Sequence, residues 1–135
     1  VPPELNSRLE VLNQHRMASA PASGSFLHDG MVICPCSMKS LAAVASGLAD
    51  NLVVRSADVC LKEKRPLIIV PRETPFNLIH IKNMETVALA GAVVMPPSPS
   101  FYSSPQTIDA LVDTVVARIM DHLKIDHSLI PRWGA

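Results

Sequence analysis

The sequence lacks a surplus of charge: twelve Lys and Arg balance twelve Asp and Glu over 135 residues. That removes the diffuse positive field with which nucleic-acid binders attract phosphate backbones, and it speaks against a polynucleotide partner. Long apolar runs are lacking too. None approaches the roughly 20 residues a membrane helix needs, and residues 1–16 do not show the basic-then-apolar layout of a signal peptide. The expectation is a soluble, cytoplasmic protein with no membrane partner. Cysteine is sparse, and its odd count of three argues for reduced thiols rather than a disulfide framework. Cys34 and Cys36 form a Cys-Pro-Cys triplet one residue too short for the usual zinc knuckle, no second Cys/His pair follows at metal spacing, and the five His are scattered. No metal site is expected, because small buried thiols are the commoner case. No internal repeat occurs, and the one biased stretch is the proline-rich 96–105.

What the chain does have is apolar content, 48% of residues, enough to build one core in a single domain over 1–135. Three short runs rich in β-branched residues, 31–34, 67–70 and 92–95, read as buried strands. Helical patterns lie between and after them, at 37–46, 51–64, 77–90 and 108–123, with polar N-caps and with glycine stops at Gly47 and Gly91. In the last helix Ile108, Leu111, Val112, Val115, Val116, Ile119 and Leu123 recur at three- and four-residue steps and predict one buried stripe. A weak helix is expected at 4–14. Continuous apolar strands alternating with helices predict a doubly wound parallel α/β fold with helices on both faces of the sheet. Three strands are few for that fold, so something is expected to be missing at the amino end.

In an open parallel sheet, ligands bind beyond the carboxyl ends of the strands, where helix N-termini also point free N–H groups. This selects Pro35-Cys36-Ser37-Met38-Lys39-Ser40, Pro71-Arg72-Glu73-Thr74-Pro75, and the loop from Pro96 through Phe101 and Tyr102. Ser37 suits a helix cap, and its hydroxyl equally suits an anionic or polar ligand. Arg72 and Glu73, a proline-flanked charged pair at a buried strand end, sit awkwardly for merely solvated charges. Arg55, Asp58 and Lys62 share one helical face, either solvated with an Asp58–Lys62 pair or a cationic face that receives a phosphate. Arg118, at the edge of the last helix's stripe, can snorkel outward or reach into a site. Tyr102 can serve a ligand or close its loop. Ala22-Ser23-Gly24-Ser25 is a small-residue turn that permits close approach to a planar ligand.

Several of these segments, in this order, resemble the UbiX-type flavin prenyltransferases. They are Ala22-Ser23-Gly24-Ser25-Phe26, the run from Met31 through Cys34-Pro35-Cys36-Ser37-Met38-Lys39-Ser40 to Ala42, and Arg55-Ser56-Ala57-Asp58-Val59-Cys60-Leu61-Lys62-Glu63. Val70-Pro71-Arg72-Glu73-Thr74-Pro75, Phe101-Tyr102 and Pro131-Arg132-Trp133 complete the set. The resemblance covers about 20–135. It implies a flavodoxin-like three-layer fold that binds flavin mononucleotide (FMN) and transfers a dimethylallyl group from dimethylallyl phosphate to the flavin N5 and C6. The prenylated flavin would serve a UbiD-type decarboxylase. Ser37, Met38, Lys39, Ser40 and Arg72 would contact the nucleotide, with Ser23 and Gly24 near the flavin ring. Arg118, Tyr102, Lys62 and, from a neighbouring subunit, Arg55 would bind the dimethylallyl phosphate. Glu73, which would handle protons on the leaving phosphate or the flavin, and Ser23 are the candidate catalytic residues. An ionising allylic phosphate gathers charge on its departing oxygens, which clustered Arg and Lys stabilise without a metal. The family also implies a homo-oligomer, trimer-based and up to a dodecamer.

Family members begin with a strand and a Gly-Ala-Ser-Gly-type loop that holds the flavin, a segment not found here, so the amino-terminal part is expected to be missing. Met17 stands where some relatives carry an aromatic residue. Two other readings stand beside this one: a flavin-dependent decarboxylase of the cysteine-decarboxylase group, whose Pro-Ala-Ser-Ala-Asn segment differs from Pro35-Cys36-Ser37-Met38-Lys39, and a non-catalytic flavin carrier or assembly subunit.

Overall fold

The computed structural model describes residues 8–132. Its centre is a parallel three-stranded sheet in the order β1 (Met31–Cys36), β2 (Leu67–Pro71), β3 (Val93–Val94). Met31 stands opposite Leu67 and Ile33 opposite Ile69, and the register slips by one residue before Cys36 meets Pro71. On the other side of β2, Ile68 pairs with Val93 and Ile69 with Val94.

Neighbouring side chains on a strand point to opposite faces, yet every residue of β2 is buried. Both faces of the sheet are therefore covered, the condition that lets a strand be apolar throughout. Leu67, Ile68, Ile69 and Val70 are at most 1% exposed, and each such burial stabilises the fold by about 1.5–3 kcal/mol. Four helices connect and flank the strands in a three-layer α/β/α arrangement: α1 (Met38–Ser46), α2 (Leu52–Lys62), α3 (Leu78–Leu89) and α4 (Ile108–His122). Each starts on a side-chain cap, with Ser37, Asn51, Asn77 and Thr107 accepting the N–H of Ser40, Val54, His80 and Ala110. Helix α1 stops at Gly47, whose φ of +70° is the left-handed conformation that glycine adopts without strain. The core joins Ile33 and Cys36 of β1 and Leu67 and Ile69 of β2 to Leu41 and Val44 of α1, Val54 and Ala57 of α2, and Val87 of α3.

Two expectations change. The helix at 4–14 lies partly outside the described residues; within them, residues 9–13 are not helical. Leu9 and Val11 are 55% and 96% exposed, so no packing surface supports a short helix there. The apolar stripe of α4 is only partly buried: Thr114 and Ala117 are covered, while Ile108 and Val112 stay 78% and 52% exposed. A sheet whose last strand is two residues long offers too little surface for a stripe that broad. Among the described residues no helix is long and apolar enough to cross a membrane.

Candidate functional site

Because the strands are parallel, their carboxyl ends deliver three loops to one edge. The Arg72 N–H donates to the Cys36 carbonyl at 3.0 Å, joining the first two loops, and the Met95 N–H donates to the Ile69 carbonyl at 2.9 Å, rooting the third.

In the first loop Ser37 is the cap its position suggests. Its oxygen accepts the Ser40 N–H at 3.2 Å and its hydroxyl donates to the Ser40 hydroxyl at 3.2 Å. The Met38 and Lys39 N–H groups, at the first two helical positions, have no intrahelical partner and suit an anion. Cys36 is buried, and burial pushes its thiol up to about 11, against a smaller opposing effect from the Leu41 backbone. Cys60 is likewise buried and raised, whereas Cys34 is exposed, contrary to the buried thiol expected. The described residues bring no three potential metal ligands together.

The second and third loops enclose a cleft of about 460 Å³, lined by Arg72, Glu73, Thr74 and Phe76 on one side and Pro96, Pro97 and Ser98 on the other. Arg72 and Glu73 are both exposed. The Glu73 carboxylate accepts the Thr74 N–H at 3.0 Å, and Arg72 makes no ion pair among the described residues. This leaves a cation and a carboxylate side by side and available to a ligand.

The third loop continues into a second cleft of about 880 Å³, where Ser100 and Tyr102 face Thr114 and Arg118 of α4 and Ile130, Pro131 and Arg132 of the carboxyl-terminal segment. The Ser100 N–H donates to the Thr114 hydroxyl at 3.0 Å, which itself donates to the Leu111 carbonyl at 2.7 Å and so ties the loop to α4. Arg118 donates to one Asp121 oxygen at 2.7 Å. The other Asp121 oxygen pairs with His127 Nε2 at 3.1 Å and lies 3.6 Å from Arg132 Nη1. The His127 hydrogen bond, then that of Arg118 and the charge of Arg132, hold the Asp121 carboxyl below the usual carboxylate range.

A third group forms on α2. Arg55 donates to the Ala22 carbonyl at 3.1 Å and to Asp58 at 2.8 Å. Just past the end of α2, Arg65 donates to the Gly24 and Phe26 carbonyls at 2.5 and 2.7 Å, so Arg55 on the helix and Arg65 after it fasten the turn around Ser23 and Gly24. Lys62 pairs with Glu63 and not with Asp58, which is taken by Arg55 one turn earlier. Hydrogen bonding and charge from Lys62 lower the Glu63 carboxyl. At Gly24 a Cβ would meet the Glu63 carboxylate and the Lys62 ammonium, both ends of flexible side chains that can swing aside, so the loop lies close against these two charged groups without depending on the glycine.

The structure thus brings Tyr102 and Arg118 into one cleft, Arg72 and Glu73 into the adjoining one, and Ser23, Gly24, Arg55 and Lys62 into a third cluster. Lys62 lines neither of these two clefts. Asp121, His127 and Arg65 were not visible as site-building residues in the sequence. The i,i+3 spacing of Arg118 and Asp121 is a usable signal; His127 reaches Asp121 only through a turn that no local pattern announces.

The flavoprotein family pattern matches residues 7–120. Over 127 residues the chain is 50% identical to the flavin prenyltransferase UbiX of Pseudomonas aeruginosa, covering 94% of this chain and 61% of that protein. It superimposes on the crystal structure of AnUbiX (PadA1) in complex with FMN and dimethylallyl pyrophosphate with a TM-score of 0.89 and 48% identity, covering 92% of this chain and 66% of that one. The dodecameric FMN-dependent UbiX-like decarboxylase from Escherichia coli O157:H7 gives 0.88 and 46%, covering 92% and 67%. The chain spans about three-fifths of the length of the curated relatives it matches. With these matches, the chain belongs to the flavoprotein family, and these relatives, which it resembles extensively, are of the UbiX type.

Proposed function

We propose that the chain, as one flavoprotein domain over 1–135, binds FMN and transfers a dimethylallyl group from dimethylallyl phosphate to reduced FMN. The observation that carries this reading is the pair of adjoining clefts on the carboxyl edge, one presenting Arg72 and Glu73 and the other Tyr102 and Arg118. The edge fits a flavin nucleotide: Arg72 has no ion pair among the described residues, and the first N–H groups of α1 beside Ser37 face the same edge, together a match for a phosphate. Ser37, Met38, Lys39 and Ser40 would hold the nucleotide with Arg72, and Ser23 and Gly24 the ring.

Reduced FMN, when bound, supplies the nucleophile. The residues of this chain bind and orient the donor and stabilise the departing phosphate. Arg118 and Tyr102 take the phosphate oxygens, where a fixed cation in a partly desolvated cleft stabilises growing negative charge. Glu73 moves a proton between the flavin or the leaving phosphate and solvent, with Ser23 as the second catalytic candidate. Lys62 and Arg55, in their separate cluster, would join the donor site from a neighbouring copy.

A homo-oligomer, trimer-based and up to a dodecamer as in the Escherichia coli relative, agrees with the apolar side chains left open on α3 and α4. Leu78, Ile79, Leu89 and Ile108 are each at least 69% exposed. The product would pass to a UbiD-type decarboxylase, and the free thiols of Cys34, Cys36 and Cys60 suit a reducing cytoplasm. That relative, described as a decarboxylase, keeps flavin-dependent decarboxylation as a second reading. Incubation with reduced FMN and dimethylallyl phosphate separates them. We expect the flavin to gain the mass of one prenyl unit; bound flavin of unchanged mass would refute prenyl transfer and favour a carrier or decarboxylase.

A further inference from the structure

Arg118 has a placement problem. It lies on a helix whose apolar stripe is half open, and its side chain is 58% exposed, so packing does not fix where the guanidinium points. Immobilising a long exposed side chain costs rotamer entropy, which a binding site must meet at the moment of binding or in advance. One carboxylate in the second cleft meets it in advance. Asp121, one turn along α4, takes the Arg118 guanidinium on Oδ2 at 2.7 Å. Its Oδ1 engages His127, whose side chain is only 4% exposed, and lies 3.6 Å from the Arg132 guanidinium. The buried imidazole fixes the carboxylate, and the carboxylate holds two guanidiniums that come from different parts of the chain. It also joins the carboxyl-terminal segment to α4, so that Ile130, Pro131 and Arg132 form a wall of the cleft.

We propose that Asp121 is a positioning residue which, braced by His127, holds Arg118 and Arg132 together as a two-cation fork for the phosphate of the prenyl donor. This rests on the reading of the cleft as the donor site. Two cations on one carboxylate leave one positive charge in excess, and a bound phosphate would complete the set. Each guanidinium keeps N–H donors that Asp121 does not use, since the carboxylate has two oxygens and the two groups together carry about ten donors. Arg132 is thereby a second phosphate contact, and Asp121 touches no reacting atom.

The test compares the wild type with Asp121→Ala, Asp121→Glu and Arg132→Ala in prenyl transfer, and follows the arginine guanidinium ¹⁵N signals during titration with inorganic phosphate. Asp121→Ala is expected to raise KM for dimethylallyl phosphate about tenfold, the scale of one charge-assisted contact, while kcat and the affinity for FMN change by less than about threefold. Asp121→Glu should recover most of the loss, and Arg132→Ala should raise the same KM by about threefold with the thermal midpoint unchanged. A merely structural Asp121 would lower the thermal midpoint and leave KM alone, and that outcome overturns the proposal. Absence of prenyl transfer in the wild type would refute the reading of the cleft instead. The phosphate titration then decides the inference by itself: a restrained Arg118 signal that responds to phosphate in the wild type, with about tenfold weaker phosphate binding in Asp121→Ala, upholds it. A freely rotating Arg118 in the wild type, or equal phosphate affinity in the two proteins, overturns it.

Discussion

Strand β2 and helix α4 both deliver charged residues to the same edge, but from opposite packing regimes. Every residue of β2 is buried, so the backbone that carries Arg72 and Glu73 is fixed by the core, and those side chains can stay exposed and unpaired with each other. Helix α4 buries only Thr114 and Ala117, and its Arg118 is steered by Asp121 and His127 rather than by apolar contacts. Where the scaffold is packed, the functional side chain can be loose; where the scaffold is open, polar contacts do the orienting. The contrast matches the roles proposed for Glu73 and Arg118, since a proton-handling carboxylate has to approach different atoms in turn, whereas the cation that takes the departing phosphate works best when fixed beforehand.

The largest effect that could break the comparison is on stability. Ile69→Ala should cost about 2–5 kcal/mol in chemical denaturation, because it empties a fully buried site between two strands. Ile108→Ala on α4, at 78% exposure, should cost no more than about 0.5 kcal/mol in the monomeric chain. Similar losses at the two positions would contradict the division into packed and open elements. Next, Arg118→Ala should weaken dimethylallyl phosphate about tenfold or more. Glu73→Gln should slow prenyl transfer by about 10²-fold, the low end for a lost general acid or base, with FMN affinity nearly intact; equal rates would remove Glu73 from the chemistry.

Smaller effects sharpen the contrast. The Asp121 carboxyl is lowered in the fold, so its stabilisation is present above the carboxylate's unfolded value of about 3.9 and is lost as pH falls through the lower folded value. Donor affinity is accordingly expected to be insensitive to Asp121 between pH 5 and 8, and a loss of the Arg118 restraint already at pH 6, read from its ¹⁵N signals, would contradict that. Least in magnitude, Cys34 should alkylate first with iodoacetamide at pH 8, since it is exposed, while Cys36, with its thiol near 11, should react only on unfolding.

The strands and helices were legible because each carries its own signal. β2 is apolar at every position, and Ser37, Asn51, Asn77 and Thr107 cap the helices where the pattern breaks. Legibility ended where a feature depends on what covers it. The apolar stripe of α4 is present in the sequence, but periodicity cannot say how much surface the sheet offers, and Ile108 and Val112 remained open. The strand-end rule located Arg72, Glu73 and Tyr102 on the edge because topology alone decides that. The partners of the charged groups escaped it. Asp58 could pair with Arg55 or Lys62 at equally good helical spacing, and the choice of Arg55 is set by the Ala22 carbonyl waiting above it. The anchoring of Ser23 and Gly24 by Arg65, about 40 residues along the chain, has no local signature at all.

The division of labour between the two clefts is tested most directly by paired titrations of wild type and Arg118→Ala with FMN and with dimethylallyl phosphate. The account predicts at least about a tenfold loss of affinity for the phosphate donor with FMN affinity within about twofold of wild type. A variant that loses FMN while keeping the donor would contradict it and reassign the α4 cleft to the flavin.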